Sequence, residues 1–161
     1  MIIRDWLTLA TIKLSSVGYL KLDAEVLLSE IIKKPKTWLI INEEYQLNVR
    51  ELKKLNFLLK RRMTGEPIAY LLGRKEFWSL TLFVSKFVLI PRSDTEILVE
   101  QSLIRLTDIP SKILDLGTGS GAIALALAKM RSDCHIIGID CVMESVNLAK
   151  YNANKLNINN V

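Results

Sequence analysis

The stretch Lys112-Ile113-Leu114-Asp115-Leu116-Gly117-Thr118-Gly119-Ser120-Gly121, running on into the Ala/Leu-rich segment from Ala122 to Met130, decides the fold of this 161-residue chain. A short apolar run, a turn carrying three glycines and a run of strong helix formers read as strand, loop and helix. A second apolar run, His135-Ile136-Ile137-Gly138-Ile139, ends on Asp140, and a helix from about Met143 to Leu156 follows. The order strand, Gly-rich loop, helix, strand, acid, helix is the opening of a nucleotide-binding parallel sheet with a right-handed crossover. Both strands are continuous apolar runs, which predicts strands covered on both faces.

Glycines between a strand and a helix allow positive φ in a tight turn and let a ligand approach the backbone without a Cβ in the way. Asp140 lies 19 residues after Gly121, where a carboxylate at a strand end can accept from both hydroxyls of a ribose. The pair points to an adenosine ligand held by Gly117, Thr118, Gly119, Ser120, Gly121 and Asp140. The glycine spacing is GxGxG, whereas the dinucleotide fingerprint is GxGxxG and seats a pyrophosphate on the helix. Asp115, two residues before the first glycine, would repel a pyrophosphate but suits a ligand with an ammonium and a sulfonium group. That favours S-adenosylmethionine over a nicotinamide cofactor. No Lys-Ser/Thr follows the glycines, so the Walker pattern is excluded. At this point the sequence resembles the class I S-adenosylmethionine-dependent methyltransferases.

Upstream of this region the pattern is helical. Ile3, Trp6, Leu7, Ala10 and Leu14 fall on one stripe of a helix that Gly18 ends. Ala24, Leu27, Leu28 and Ile31 follow Asp23, a candidate cap. A short segment surrounds Trp38 to Ile41, and Asn48 with Glu51 has capping-box spacing before Leu52, Leu55, Leu59 and a stop at Gly65. From Glu76 the runs Phe77 to Val84 and Phe87 to Ile90 predict extended strands paired about Ser85-Lys86, closed by Pro91. Ser93 with Glu96 then repeats the capping-box spacing ahead of a helix carrying Ile97, Leu98, Leu103, Ile104 and Leu106. These readings divide the chain into a helical bundle (1–75), a hairpin linker (76–91) and the start of an α/β domain (92–161).

Half of the residues are apolar, with only 7 Gly and 4 Pro, which excludes the core-poor composition of disordered chains. The longest apolar run, Ala122 to Ala128, is far short of the roughly 20 residues a membrane span needs. No signal-peptide pattern opens the chain, and Cys134, His135 and Cys141 lack the spacing of a metal set, which predicts a reducing compartment and no zinc. The net charge of +5 is uneven: residues 1–75 hold 14 Lys/Arg against 8 Asp/Glu, or +6, while residues 76–161 hold 8 against 9, or −1. Lys53, Lys54, Lys60, Arg61 and Arg62 form the densest basic cluster, either a solvated helix face or a surface for an acidic partner.

A narrower resemblance lies in Glu66-Pro67-Ile68-Ala69, Glu76-Phe77-Trp78-Ser79-Leu80, Leu89-Ile90-Pro91-Arg92-Ser93-Asp94-Thr95-Glu96 and Asp115 to Ala128, in that order. These stretches are similar to the release factor glutamine methyltransferases, the HemK family; Ser93 departs from the family's usual second proline. The resemblance implies a helical substrate-recognition domain and a Rossmann-like methyltransferase domain using S-adenosylmethionine. It implies class 1 peptide-chain release factors as partners, modified on the glutamine of their Gly-Gly-Gln loop. Pro91, Arg92 and Glu96 would lie beside the cleft. It further implies a cytoplasmic monomer with no membrane or direct nucleic-acid requirement. The family's sheet has seven strands and an Asn-Pro-Pro-Tyr motif that holds the acceptor amide; residues 1–161 supply two strands and not that motif, so the expectation is a truncated amino-terminal part, inactive alone, with no catalytic residue assigned. A noncatalytic release-factor-binding fragment and an RNA or DNA amino-methyltransferase are the alternatives.

Overall fold

The computed structural model describes all 161 residues and divides into two compact units, Met1–Leu72 and Gly73–Val161. No helix is long and apolar enough to cross a membrane.

The first unit is all-helical, with α1 (Ile3–Ser15), α2 (Lys21–Ile32), α3 (Lys36–Ile41), α4 (Val49–Met63) and α5 (Ile68–Leu72). The apolar stripe of α1 is buried as its spacing predicts, with Ile3, Trp6, Ala10 and Leu14 packed on Ala24, Leu27 and Leu28 of α2 and Leu55 and Leu59 of α4. Burying Trp6 leaves its indole N–H in need of an acceptor, and Asn56 Oδ1 supplies one at 3.1 Å. The capping box on α4 is formed: Glu51 N donates to Asn48 Oδ1 at 2.9 Å and Asn48 N to Glu51 Oε2 at 2.8 Å. The cap expected from Asp23 is not. The residue lies inside the first turn of α2, whose flanking residue is Leu20, and its carboxylate instead accepts from Arg62 Nε at 2.7 Å. Arg62 also stacks on Tyr19, 3.5 Å from the ring centre, so a long-range ion pair displaces the local cap.

The second unit holds a hairpin of β1 (Arg74–Phe77) and β2 (Leu80–Phe83), then α6 (Thr95–Arg105), β3 (Lys112–Leu116), α7 (Ala122–Met130), β4 (His135–Ile139) and α8 (Met143–Leu156). The hairpin turns at Trp78-Ser79, with φ of 49° and 57°, and not about Ser85-Lys86; Phe87 to Ile90 form no strand. Two positive-φ residues make the tight turn that matches strand twist, but neither is the Gly or Asn that would announce it in a sequence. Glu96 holds this turn by accepting from Trp78 N at 2.9 Å. That bond replaces the capping box expected with Ser93: α6 begins after Asp94 with no side-chain cap. In the following helix only Val99 is fully buried, while Ile97, Leu98 and Ile104 are exposed.

β3 and β4 pair in parallel with Lys112 opposite His135 and Leu116 opposite Ile139, as the crossover order predicts. Their coverage differs from the expectation. Ile113 and Ile136 face a core built from Phe77, Leu80, Leu82, Val99, the buried side of α7 and Ala153. Leu114, Leu116, Ile137 and Ile139 alternate onto the opposite face and are exposed, so the sheet is covered on one side only.

Candidate cofactor site

The loop from Gly117 to Gly121 is a clamp between two strand ends. Gly117 N and Thr118 N both donate to Ile139 O at 2.9 Å, fastening the loop to the end of β4. Asp140, one residue on, accepts from Gly119 N at 2.9 Å through Oδ2 and from Val142 N at 2.9 Å through Oδ1. These two main-chain donors hold its carboxyl below the usual carboxylate range, because each bond favours the ionised form. Asp115 takes a structural part in the same loop: its Oδ2 accepts from Thr118 Oγ1 at 2.8 Å. The contact it makes orients the loop.

All six sequence-nominated residues therefore converge. Gly117, Gly119 and Gly121 have φ of 77°, 57° and 82°, the left-handed region that an L side chain enters only with strain. A Cβ built on Gly117 or Gly119 meets nothing within 4 Å, so the outer side of the loop opens onto free space. A Cβ on Gly121 would lie 3.0 Å from Leu125 and 3.2 Å from Ala149, so this glycine lets helices α7 and α8 approach. The first helical bond of α7 is Leu125 N to Gly121 O at 2.8 Å, which leaves the amides of its opening turn without intrahelical acceptors. Free amides, an open glycine surface and an ionised carboxylate with unused lone pairs fit the methionyl and ribose parts of S-adenosylmethionine. Ser120 is buried and its carbonyl accepts from Asn152, so what this residue displays is support of the loop from within.

Three supporting residues escaped the sequence reading. Asn152 of α8 is 1% exposed, and its amide spans the hairpin and the loop. Its Oδ1 accepts from Phe83 N at 2.8 Å, while Nδ2 donates to Phe83 O at 3.0 Å and to Ser120 O at 2.8 Å. Gly138 sits under Thr118, where a Cβ would come 2.7 Å from Thr118 Oγ1; a glycine inside an apolar strand is the signal for such an approach. Ser145, also buried, donates through Oγ to Phe87 O at 3.3 Å, tying the segment before Pro91 to α8. Arg92 and Glu96 are not part of the loop; Glu96 is occupied by the hairpin turn.

Comparison with known proteins divides the chain in the same sense. Residues 5–73 match the PrmC N-terminal domain and residues 110–161 a methyltransferase domain. Along its whole length the chain is 54% identical to the release factor glutamine methyltransferase of Buchnera aphidicola from Baizongia pistaciae, covering 59% of that protein. It is 49% identical over 158 residues to the enzyme of the same name from Escherichia coli K12 and 51% identical over 158 residues to that from Yersinia pestis. Each of these two alignments takes in 98% of this chain and 57% of the relative. The chain thus spans somewhat over half the length of the relatives it matches.

Proposed function

We propose, for a chain that belongs to the release factor glutamine methyltransferase family, that it carries the cofactor loop and the partner-recognition helices of an S-adenosylmethionine-dependent enzyme. The acceptor is the side-chain amide nitrogen of the glutamine in the Gly-Gly-Gln loop of class 1 release factors, and the setting is cytoplasmic translation termination. The observation that carries the reading is the clamp itself: a GxGxG loop whose amides are fixed to β4 and whose neighbouring Asp140 is kept ionised.

When bound, S-adenosylmethionine supplies an electrophilic methyl on a sulfonium. An amide nitrogen is a weak nucleophile because its lone pair is delocalised, so rate must come from positioning. This chain's share is to hold the cofactor still. Gly117 and Gly119 would admit it against the backbone, and the amides opening α7 would offer donors to its carboxylate. Asp140 would accept from the ribose hydroxyls with the lone pairs that Gly119 N and Val142 N leave free. Asn152 and Gly138 keep the loop in register beneath it. The helical unit, 1–72, carries the recognition of the protein substrate.

Titration calorimetry with S-adenosylmethionine tests the assignment. Asp140→Ala is expected to weaken binding by about 1 to 3 kcal/mol, the range for bonds to a charged group. Gly119→Leu is expected to cost more, since it adds backbone strain at φ 57° and fills the open side of the loop. Parent-like affinity in both variants would remove the loop from the site.

A further inference from the structure

The outward face of α4 concentrates cations around an exposed aromatic side chain. Several cations of the unit are paired: Lys21 and Lys36 meet Glu25, Lys33 meets Glu30, Arg4 meets Glu43, Arg61 meets Glu66 and Arg62 meets Asp23. Arg50, Lys53 and Lys54 are exposed and have no ion-pair partner, although they stand three and four residues apart, the spacing at which like charges on a helix repel. At 100° per residue, Arg50, Lys53, Lys54, Phe57 and Arg61 lie within an arc of about 100° and extend about 16 Å along the helix. The buried stripe of Leu55 and Leu59 occupies the opposite side. Phe57 sits at the centre of the cationic face, 60% exposed, with the Arg61 guanidinium 5.5 Å from its ring. The only acid on the helix, Glu51, is turned into the capping box. A face that keeps three unpaired, mutually repelling cations beside an exposed aromatic is where sequence and fold disagree, and such places mark function.

We propose that this stripe docks an acidic segment of the protein substrate: a helix or strand carrying carboxylates that match Arg50, Lys53 and Lys54, with an apolar side chain set against Phe57. The inference rests on the protein-substrate reading above. The cations steer the encounter and fix register, while the ring provides the desolvated contact that slows release.

The test uses the whole 161-residue chain and a class 1 release factor in stopped-flow association at several salt concentrations. The double variant Lys53→Glu/Lys54→Glu is expected to associate about tenfold more slowly at low salt, with a flattened salt dependence. Phe57→Ser is expected to leave association unchanged and to speed dissociation. Both variants should stay folded, the double variant with a thermal midpoint at or above the parent's because it trades repulsion with Arg50 for attraction. Both should keep the parent's affinity for S-adenosylmethionine, since the residues are exposed and remote in sequence from the loop. Unchanged kinetics in both variants, with the parent binding the release factor, overturns the stripe alone. A parent that binds cofactor but not the release factor overturns the protein-substrate reading and the stripe with it. If the double variant loses affinity for a single-stranded RNA oligonucleotide while release-factor kinetics stay constant, the face belongs to nucleic acid and the proposal falls.

Discussion

The two units bury their apolar residues in different ways. In the helical unit, α1, α2 and α4 close around Trp6, and every residue of the predicted α1 stripe except Leu7 is fully buried. In the second unit, β3 and β4 bury Ile113 and Ile136 on one side and leave Leu114 and Leu116 57% and 71% exposed on the other. A helix needs one covered stripe, whereas a strand of a parallel sheet needs two covered faces. The same density of apolar residues therefore yields a closed core in one unit and an open one in the other. The site sits in the open unit, and its order comes from polar bonds: Asp140 on Gly119 and Val142, Asp115 on Thr118, and Asn152 on Phe83 and Ser120.

The largest expected consequence is a difference in local stability within the 161-residue chain. Leaving a Leu or Ile exposed forgoes part of the roughly 1.5 to 3 kcal/mol that full burial gives, and β3 and β4 carry four such residues 44% to 71% exposed. Native-state hydrogen exchange should show α1 and α2 opening only with their whole unit, and β3 and β4 opening several kcal/mol earlier. Equal protection in both would mean that the open face is covered in solution.

Next in size is the polar bracket. Asn152→Ala leaves Phe83 N, Phe83 O and Ser120 O without their partner. Of these Ser120 O is the buried one, and an unpaired buried group costs about 1 to 3 kcal/mol, so the second unit should lose at least that much in denaturant unfolding while the helical transition stays in place. A loss shared equally by both units would contradict their independence.

Which parts of this could be read from the sequence follows the same division. The capping box at Asn48, the stripe of α1 and the order of β3, loop, α7 and β4 were legible because each is written in local spacing. The loop residues were legible for the same reason. The Trp78-Ser79 turn was not, since its positive φ values fall on residues that rarely take them, nor were the contacts of Asp23 and Glu96, each drawn from a cap to a distant partner. Asn152 was invisible because nothing in α8 alone states that its amide faces a strand 69 residues away.

A small effect on one face of the sheet, set against a large one on the other, sharpens the contrast between them. Leu116→Ser on the open face should change stability by no more than about 0.5 kcal/mol, as exposed substitutions do. Ile136→Ala on the covered face should cost about 2 to 5 kcal/mol. Comparable losses at both positions, read from urea midpoints, would show that Leu116 is buried in solution.

The smallest effect is the titration of Asp140. Its carboxyl is held below 3.8, the ordinary value for aspartate, first by the Val142 amide and next by the Gly119 amide. A folded-state value below the unfolded one means that the stabilisation is fully present above about pH 4. It is lost as pH falls through the depressed folded value, because protonation removes the charge on which both amides rely. The Gly119 and Val142 amide resonances should therefore move together in an NMR pH series, with one shared midpoint below 3.8. Asp140→Asn should abolish the transition in both. Separate midpoints, or one at or above 3.8, would mean that the carboxylate does not bridge loop and helix, and the loop would then owe its order to Ile139 O, Asp115 and Asn152.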